Sequence, residues 1–239
     1  MRRFGGDPET RERALAKLAG TRDRVLDGAG LRRGETLLDV GCGEGLIGFG
    51  ALERGAATVV FSDVSADLLE FCRQRAADMS VTGRCRFVEA RAEDLGAIDA
   101  GSVDVVTTRS VLIYVRDKAG AFREFARVLR PGGRISVFEP INRFAQNPER
   151  WGGYDLRALG ELEGKLRAVY ESLQPPESDP MLDFDERDLV RFAEAADFFP
   201  VRLELEAVVE PRRRAPGTAS CTPPATRTSR PSPKRWRRR

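Results

Sequence analysis

Three glycines at alternate positions, Gly41, Gly43 and Gly45, stand between the apolar run Thr36-Leu37-Leu38-Asp39-Val40 and a second apolar run that begins at Leu46-Ile47. A glycine turn between a strand and a helix lets the backbone fold back sharply and approach a ligand closely, while the free amides of the helix N-terminus point at it. Such a turn suits a phosphate or a nucleoside, although glycine turns also serve packing alone. Asp63 supplies a second feature. It closes the next apolar run, Thr58-Val59-Val60-Phe61-Ser62-Asp63, where a carboxylate can accept hydrogen bonds from both hydroxyls of a ribose. The plainer reading of Asp63 is an N-cap for the following helix, a place that Ser65 is equally able to fill.

Two nucleoside chemistries compete for this pattern. Gly43-Glu44-Gly45-Leu46-Ile47-Gly48 is a literal G-x-G-x-x-G with an acid about 20 residues further on, as a NAD site has. Asp39, however, interrupts the first strand two residues before Gly41, where a dinucleotide strand runs apolar into its glycine. A buried acid without a partner is costly, so it implies a ligand with an ammonium group, reached directly or through water. S-adenosylmethionine (SAM) has such a group and NAD does not.

Leu37-Leu38-Asp39-Val40-Gly41-Cys42-Gly43-Glu44-Gly45 resembles the first motif of class I SAM-dependent methyltransferases. The resemblance continues through Ser62-Asp63-Val64-Ser65, Ala92-Glu93-Asp94-Leu95, Val103-Asp104-Val105-Val106 and Arg127-Val128-Leu129-Arg130-Pro131-Gly132-Gly133, in order and at the family's spacing over residues 37 to 140. It implies SAM as cofactor and a seven-stranded sheet whose last strand is reversed. Residue by residue, it implies that Asp39, Gly41 and Gly43 line the methionine end of SAM, that Asp63 holds the ribose, and that Ala92 and Glu93 flank the adenine. Many relatives carry an acid just before the Ala-Glu pair, where this chain has Arg91.

Methyl transfer is an in-line displacement at a sulfonium carbon: the cofactor carries the activation and the protein aligns the nucleophile. The chain has no histidine, which removes Ser-His-Asp triads, H-E-x-x-H metal sites and any histidine base. Glu139, at the end of the fifth strand, and Tyr114, after the fourth, lie where the family places its acceptor pocket and are the expected catalytic residues. Each has a bland alternative, a solvated strand end for Glu139 and a core aromatic with its hydroxyl at the rim for Tyr114. Arg109, Asn142, Arg143 and Trp151 are further candidates for shaping the pocket. The four cysteines, Cys42, Cys72, Cys85 and Cys221, form no C-x-x-C pair, so spacing suggests no metal site and no disulfide framework.

The elements that must carry these residues alternate. Strands over 36–40, 58–63, 86–88, 103–107 and 134–139 are separated by helices over 46–52, 66–77 and 118–129, with Pro131-Gly132-Gly133 as the turn into the fifth strand. This pattern predicts an α/β fold: a Rossmann-like, doubly wound, mostly parallel sheet with helices on both faces. At 239 residues one core domain is expected. Its parts are an N-terminal helical segment or lid over 1–34, the SAM-binding core over 35–140, an insertion or substrate lid over 141–183, the last helix and strand over 184–210, and a basic disordered tail over 211–239. The last helix is expected over 186–196 and a sixth strand over 201–209, with the reversed seventh strand missing.

No apolar run is long enough to cross a membrane and the N-terminus lacks the apolar stretch of a secretory signal, so a cytoplasmic location without membrane contact is expected. The body holds all 37 acids, while the 29 residues from Pro211 carry ten Lys and Arg and no acid. The tail therefore reads either as a shifted reading frame or as a basic arm for nucleic acid. With GC-rich codons assumed, residues 224 to 236 back-translate so that a neighbouring frame reads GNPHIPTLAEAM, a proline turn followed by a helix-forming run. The expected partner is a small-molecule methyl acceptor. The competing functions are an NAD-dependent oxidoreductase and a nucleic-acid-binding protein acting through the tail, for which the body offers no reading module.

Overall fold

A computed structural model describes residues 8–145, 150–151, 154–155, 159–175 and 178–207. Helix α1 (Pro8–Gly28) leads into strand β1 (Thr36–Val40), α2 (Leu46–Glu53), β2 (Thr58–Asp63), α3 (Ala66–Asp78), β3 (Cys85–Glu89), β4 (Val103–Arg109), α4 (Lys118–Val128) and β5 (Leu129–Phe138). All pairings in the sheet are parallel, in the order β3-β2-β1-β4-β5. The chain therefore winds outward from β1 in one direction and then crosses to β4 on its other side. The β1/β4 boundary is the switch point, and in open α/β sheets ligands bind above the carboxyl ends of the strands there.

Side-chain alternation sends each strand's residues to two separate cores. On one face Leu37, Val59, Phe61 and Val105 meet Val25 and Leu26 of α1, Phe49 and Leu52 of α2, and Leu69 and Cys72 of α3. On the other, Leu38, Val40, Val60 and Val106 meet Leu95, Ile98, Phe122, Phe125 and Val128, with Ala193 beyond them. The central strands are apolar on both faces because helices cover both.

Strand β5 starts earlier than the sequence pattern suggests. Val103 pairs with Leu129 and Val105 with Arg134, so the residues between bulge out of the ladder. Gly132, at φ +78°, makes the bulge possible. The Pro-Gly-Gly turn thus lies within the strand rather than ahead of it.

Beyond the sheet lie α5 (Asn142–Ala145), a short antiparallel pair of β6 (Arg150–Trp151) and β7 (Tyr154–Asp155), α6 (Gly160–Leu173) and α7 (Glu186–Ala195). Helix α7 opens with a capping box in which Asp185 accepts from the Asp188 amide and Asp188 accepts from the Asp185 amide. Its Ala193, with Leu189 and Phe192, packs in the α4 core. Lys118, 3% exposed, donates to the Val115 and Pro180 carbonyls and pairs with Asp183, tying the start of α4 to the approach to α7.

The strand expected over 201–209 is not formed in its described part: residues 201–207 make no sheet pairing. Leu203 and Leu205 remain half exposed. Alternation alone cannot make a strand, because its amides and carbonyls need a neighbouring strand to bond. The tail expected to be disordered or frame-shifted lies outside the described residues.

Candidate functional site

The glycine turn forms because each of its three glycines adopts a left-handed backbone: φ is +63° at Gly41, +55° at Gly43 and +80° at Gly45. The Cys42 amide donates to the Ser62 carbonyl at 2.9 Å, carrying the β1/β2 ladder into the turn, and the Gly45 amide donates to Cys42 at 2.9 Å. Two of the glycines are also sterically forced. A Cβ on Gly41 would lie 2.3 Å from a methyl of Val111, and one on Gly45 would lie 2.5 Å from the ring of Phe49. Gly43 differs, since nothing lies within 4 Å of the place its Cβ would take. That open space above the turn leaves room for a ligand to meet the backbone.

Asp63 reaches across to this turn. Its Oδ2 accepts from the Gly43 amide at 2.9 Å and its Oδ1 from the Ser65 amide at 3.0 Å, while Ser65 caps α3 by accepting from the Leu68 amide. The two readings of Asp63 thus separate: Ser65 performs the capping and Asp63 holds the end of β2 against the glycine turn. Each carboxylate oxygen keeps a further acceptor site for a ligand.

Asp39 sits beneath the turn and is 1% exposed. Its Oδ2 accepts from the Gly48 amide in the first turn of α2 at 3.0 Å, and its Oδ1 meets the Thr107 hydroxyl of β4 at 3.3 Å. Burial pushes its pKa up to about 7, against the opposing pull of the Gly48 amide, the Thr107 hydroxyl and the Arg109 charge. The partner that its burial demands is therefore supplied by the protein. The sequence expectation of a ligand at Asp39 leaves out Thr107, which carries no signature beyond a small hydroxyl on an apolar strand. Glu44 shows the opposite condition. Its Oε2 is buried in the glycine turn and has no hydrogen-bond partner among the described residues.

On the other side of the switch point, Ser110 leaves β4 in a left-handed conformation, φ +56°, and Leu112–Tyr114 form one turn of 3-10 helix. Glu139, just past β5, receives three successive amides of this turn: Val111 at 2.9 Å and Leu112 at 3.0 Å on Oε1, and Ile113 at 3.4 Å on Oε2. Desolvation raises its pKa to about 7 in spite of those amides and of Arg109. Tyr114 ends the turn with 59% of its surface exposed, which sets aside its reading as a core aromatic. Asn142 is partly buried and Arg143 exposed; the side chain of Trp151 lies outside the described residues.

The loop after β3 is held from below. Arg127 of α4 donates to the Leu95 and Ile98 carbonyls at 2.8 and 3.0 Å, and Glu124 accepts from the Leu95 amide at 2.7 Å. The Arg127 guanidinium keeps the Glu124 carboxyl below its usual range. Ala92 is buried, and Glu93 pairs with the Arg91 guanidinium at 2.7 Å. Arg91 thus occupies Oε1 of Glu93 in this chain. No cluster of potential metal ligands occurs among the described residues.

A sequence profile described as a methyltransferase domain matches residues 38–137. The ubiquinone/menaquinone biosynthesis C-methyltransferase UbiE of Cronobacter sakazakii is 32% identical over 158 residues, covering 62% of this chain and 61% of its own. The chain therefore spans less than two thirds of that relative's length. A solved structure of geranyl diphosphate methyltransferase in complex with SAM is 25% identical, with a TM-score of 0.51 over 70% of this chain and 64% of that one. The [4+2]-cyclase SpnF shares the fold, with a TM-score of 0.55 at 22% identity over 74% of this chain and 56% of that one.

Proposed function

We propose that this chain, whose residues 38–137 match a methyltransferase-domain profile, is a class I SAM-dependent methyltransferase that transfers a methyl group from SAM to a small-molecule acceptor. The observation that carries this reading is the glycine turn. An open cradle at Gly43, a carboxylate at Asp63 bonded to the Gly43 amide, and an unpartnered buried oxygen on Glu44 meet at one place. A nucleoside with a cationic amino-acid tail matches all three.

In this reading Gly41 and Gly43 present backbone to the methionine end, and Glu44 supplies an acceptor for the ammonium group. Asp63 binds the ribose hydroxyls with the lone pairs its two amides leave free. Ala92 and Glu93 border the adenine. Asp39 acts through the turn it supports, fixing where α2 begins. When bound, SAM supplies a methyl group already activated on sulfur. The protein's part is to exclude water and to hold the acceptor in line, with Tyr114 on the exposed side of the turn after β4.

The curated relative acts on carbon in quinone biosynthesis by its name, which makes an aromatic carbon acid one acceptor class to try first. Fold alone does not select the reaction, as a cyclase on the same fold makes plain. SAM titrated into the full chain is expected to bind, NAD is not, and labelled methyl is expected to pass into a component of a metabolite extract. Asp63→Ala is expected to weaken SAM binding by about 1.5–3 kcal/mol, roughly 10- to 150-fold, because charged hydrogen bonds to two hydroxyls are lost. Binding of NAD with no affinity for SAM would overturn the reading, and a folded Asp63→Ala variant with wild-type affinity would remove Asp63 from it.

A further inference from the structure

The turn after β4 is not held by its own residues alone: the Tyr114 amide donates to the Val111 carbonyl and the Val115 amide to the Leu112 carbonyl, but the donors at its start bond outside it. Val111, Leu112 and Ile113 head a single turn of 3-10 helix, and the first donors of any helix lack partners within it. All three of their amides go to the carboxylate of Glu139, which comes from the far end of the neighbouring strand β5. Ser110, immediately before, bonds its amide to the Phe138 carbonyl at 2.8 Å and takes a left-handed φ that a residue with a Cβ adopts only when its surroundings fix it. What the turn delivers is the side chain of Val111, which closes on Gly41 so tightly that no Cβ fits between them. Tyr114 stands three residues further on, at the open end of the same turn.

We propose that Glu139 is a positioning residue: by gathering three successive amides it sets Val111 against Gly41 and Tyr114 at the acceptor side, and so fixes the glycine turn and the acceptor wall in one geometry. This deepens the methyltransferase reading and rests on it for the identity of the cofactor. A base role for Glu139 fits the geometry less well. Of about four acceptor positions on a carboxylate, three are engaged here, and Oε1 is saturated. To take a proton from an acceptor molecule, the group would have to turn an oxygen away from an amide and leave a buried donor unpaired, which is costly. The other charge acting on it, Arg109 at the end of β4, favours the ionised, amide-binding form.

The test uses the full chain and its Glu139→Ala, Glu139→Asp, Glu139→Gln and Val111→Ala variants, with hydrogen exchange at the Val111, Leu112 and Ile113 amides and calorimetric binding of SAM. Glu139→Ala is expected to lose protection at the three amides and to weaken SAM binding by about tenfold. Glu139→Asp, one methylene too short, is expected to do the same while keeping the charge, and it serves if the alanine variant does not fold. Glu139→Gln keeps a carbonyl oxygen for Val111 and Leu112 and is expected to restore most of their protection and of the affinity. Val111→Ala should keep the protection and still lose affinity. Wild-type exchange and wild-type SAM affinity in Glu139→Ala or Glu139→Asp would overturn the proposal. A chain that does not bind SAM, yet loses protection at these amides on substitution of Glu139, would overturn the methyltransferase reading and leave the positioning role standing.

Discussion

Asp39 is a carboxylate that the fold keeps from water, and its protonation is coupled to stability. Its pKa rises to about 7 through burial, from an ordinary value near 3.8. Between these two values the folded chain holds a proton that the unfolded chain has released. Because the folded state binds more protons in that window, stability falls as pH rises from about 4 to about 7 and is flat with respect to this group above it. Glu139, also raised to about 7, adds to the same slope. Asp39→Asn, which keeps an acceptor for the Gly48 amide, is expected to lessen the fall measured by urea unfolding across that pH range. An unchanged slope in the variant would show that Asp39 is ionised in the folded chain throughout. At this scale the sequence was legible only in part. Residue types and spacing mark Asp39, Asp63 and Glu139 as important, but whether a carboxylate points at a ligand or at backbone amides depends on partners such as Thr107 and Val111, which are distant in sequence or carry no functional signature.

Among elements, the glycine turn and the turn after β4 form one unit, and the glycines within it differ in what they do. Gly41→Ala would bring a Cβ to 2.3 Å from Val111 and force φ +63° on alanine, whereas Gly43→Ala meets nothing within 4 Å and carries only the strain of φ +55°. The first is expected to destabilise the fold by about 2–5 kcal/mol, the sum of overpacking and left-handed strain, and the second by about 1–2 kcal/mol. SAM affinity should fall in both, since a methyl at Gly43 occupies the cradle. Adding Val111→Ala to Gly41→Ala should return part of the lost stability, and thermal unfolding of the four chains gives the coupling directly. Simple additivity would mean that Val111 does not rest on Gly41. The order of strands and helices was readable from periodicity because every crossover buries an apolar stripe. The bulge at Gly132 was not, since it depends on how β5 pairs with Val103 and Val105.

For the molecule as a whole, the residues proposed to hold the cofactor lie between β1 and β4, and β5 forms the outer edge of the sheet among the described strands. Strand β5 pairs with β4 alone among the described strands, and Val201, Leu203 and Leu205 leave apolar surface exposed nearby in sequence to α7. Edge strands and unburied alternating runs are places where chains associate. From Pro211 the composition changes as well, with ten basic residues and no acid to the last residue given. If this segment is a passenger, removing residues 211–239 leaves SAM affinity unchanged to within roughly twofold, about 0.4 kcal/mol, and leaves the melting temperature where it was. Sequencing the gene around codons 210 to 215 then tests the shifted frame directly, because a one- or two-base slip there would restore acidic and apolar residues to the end of the chain. If the tail is instead an arm for nucleic acid, the full chain binds a random duplex with an affinity that falls steeply with salt, and the shortened chain loses that affinity while still binding SAM. Because ten basic side chains attract any phosphate backbone, loss of duplex affinity on shortening shows only that the tail is the binding element, and the gene sequence decides whether that tail is a shifted frame.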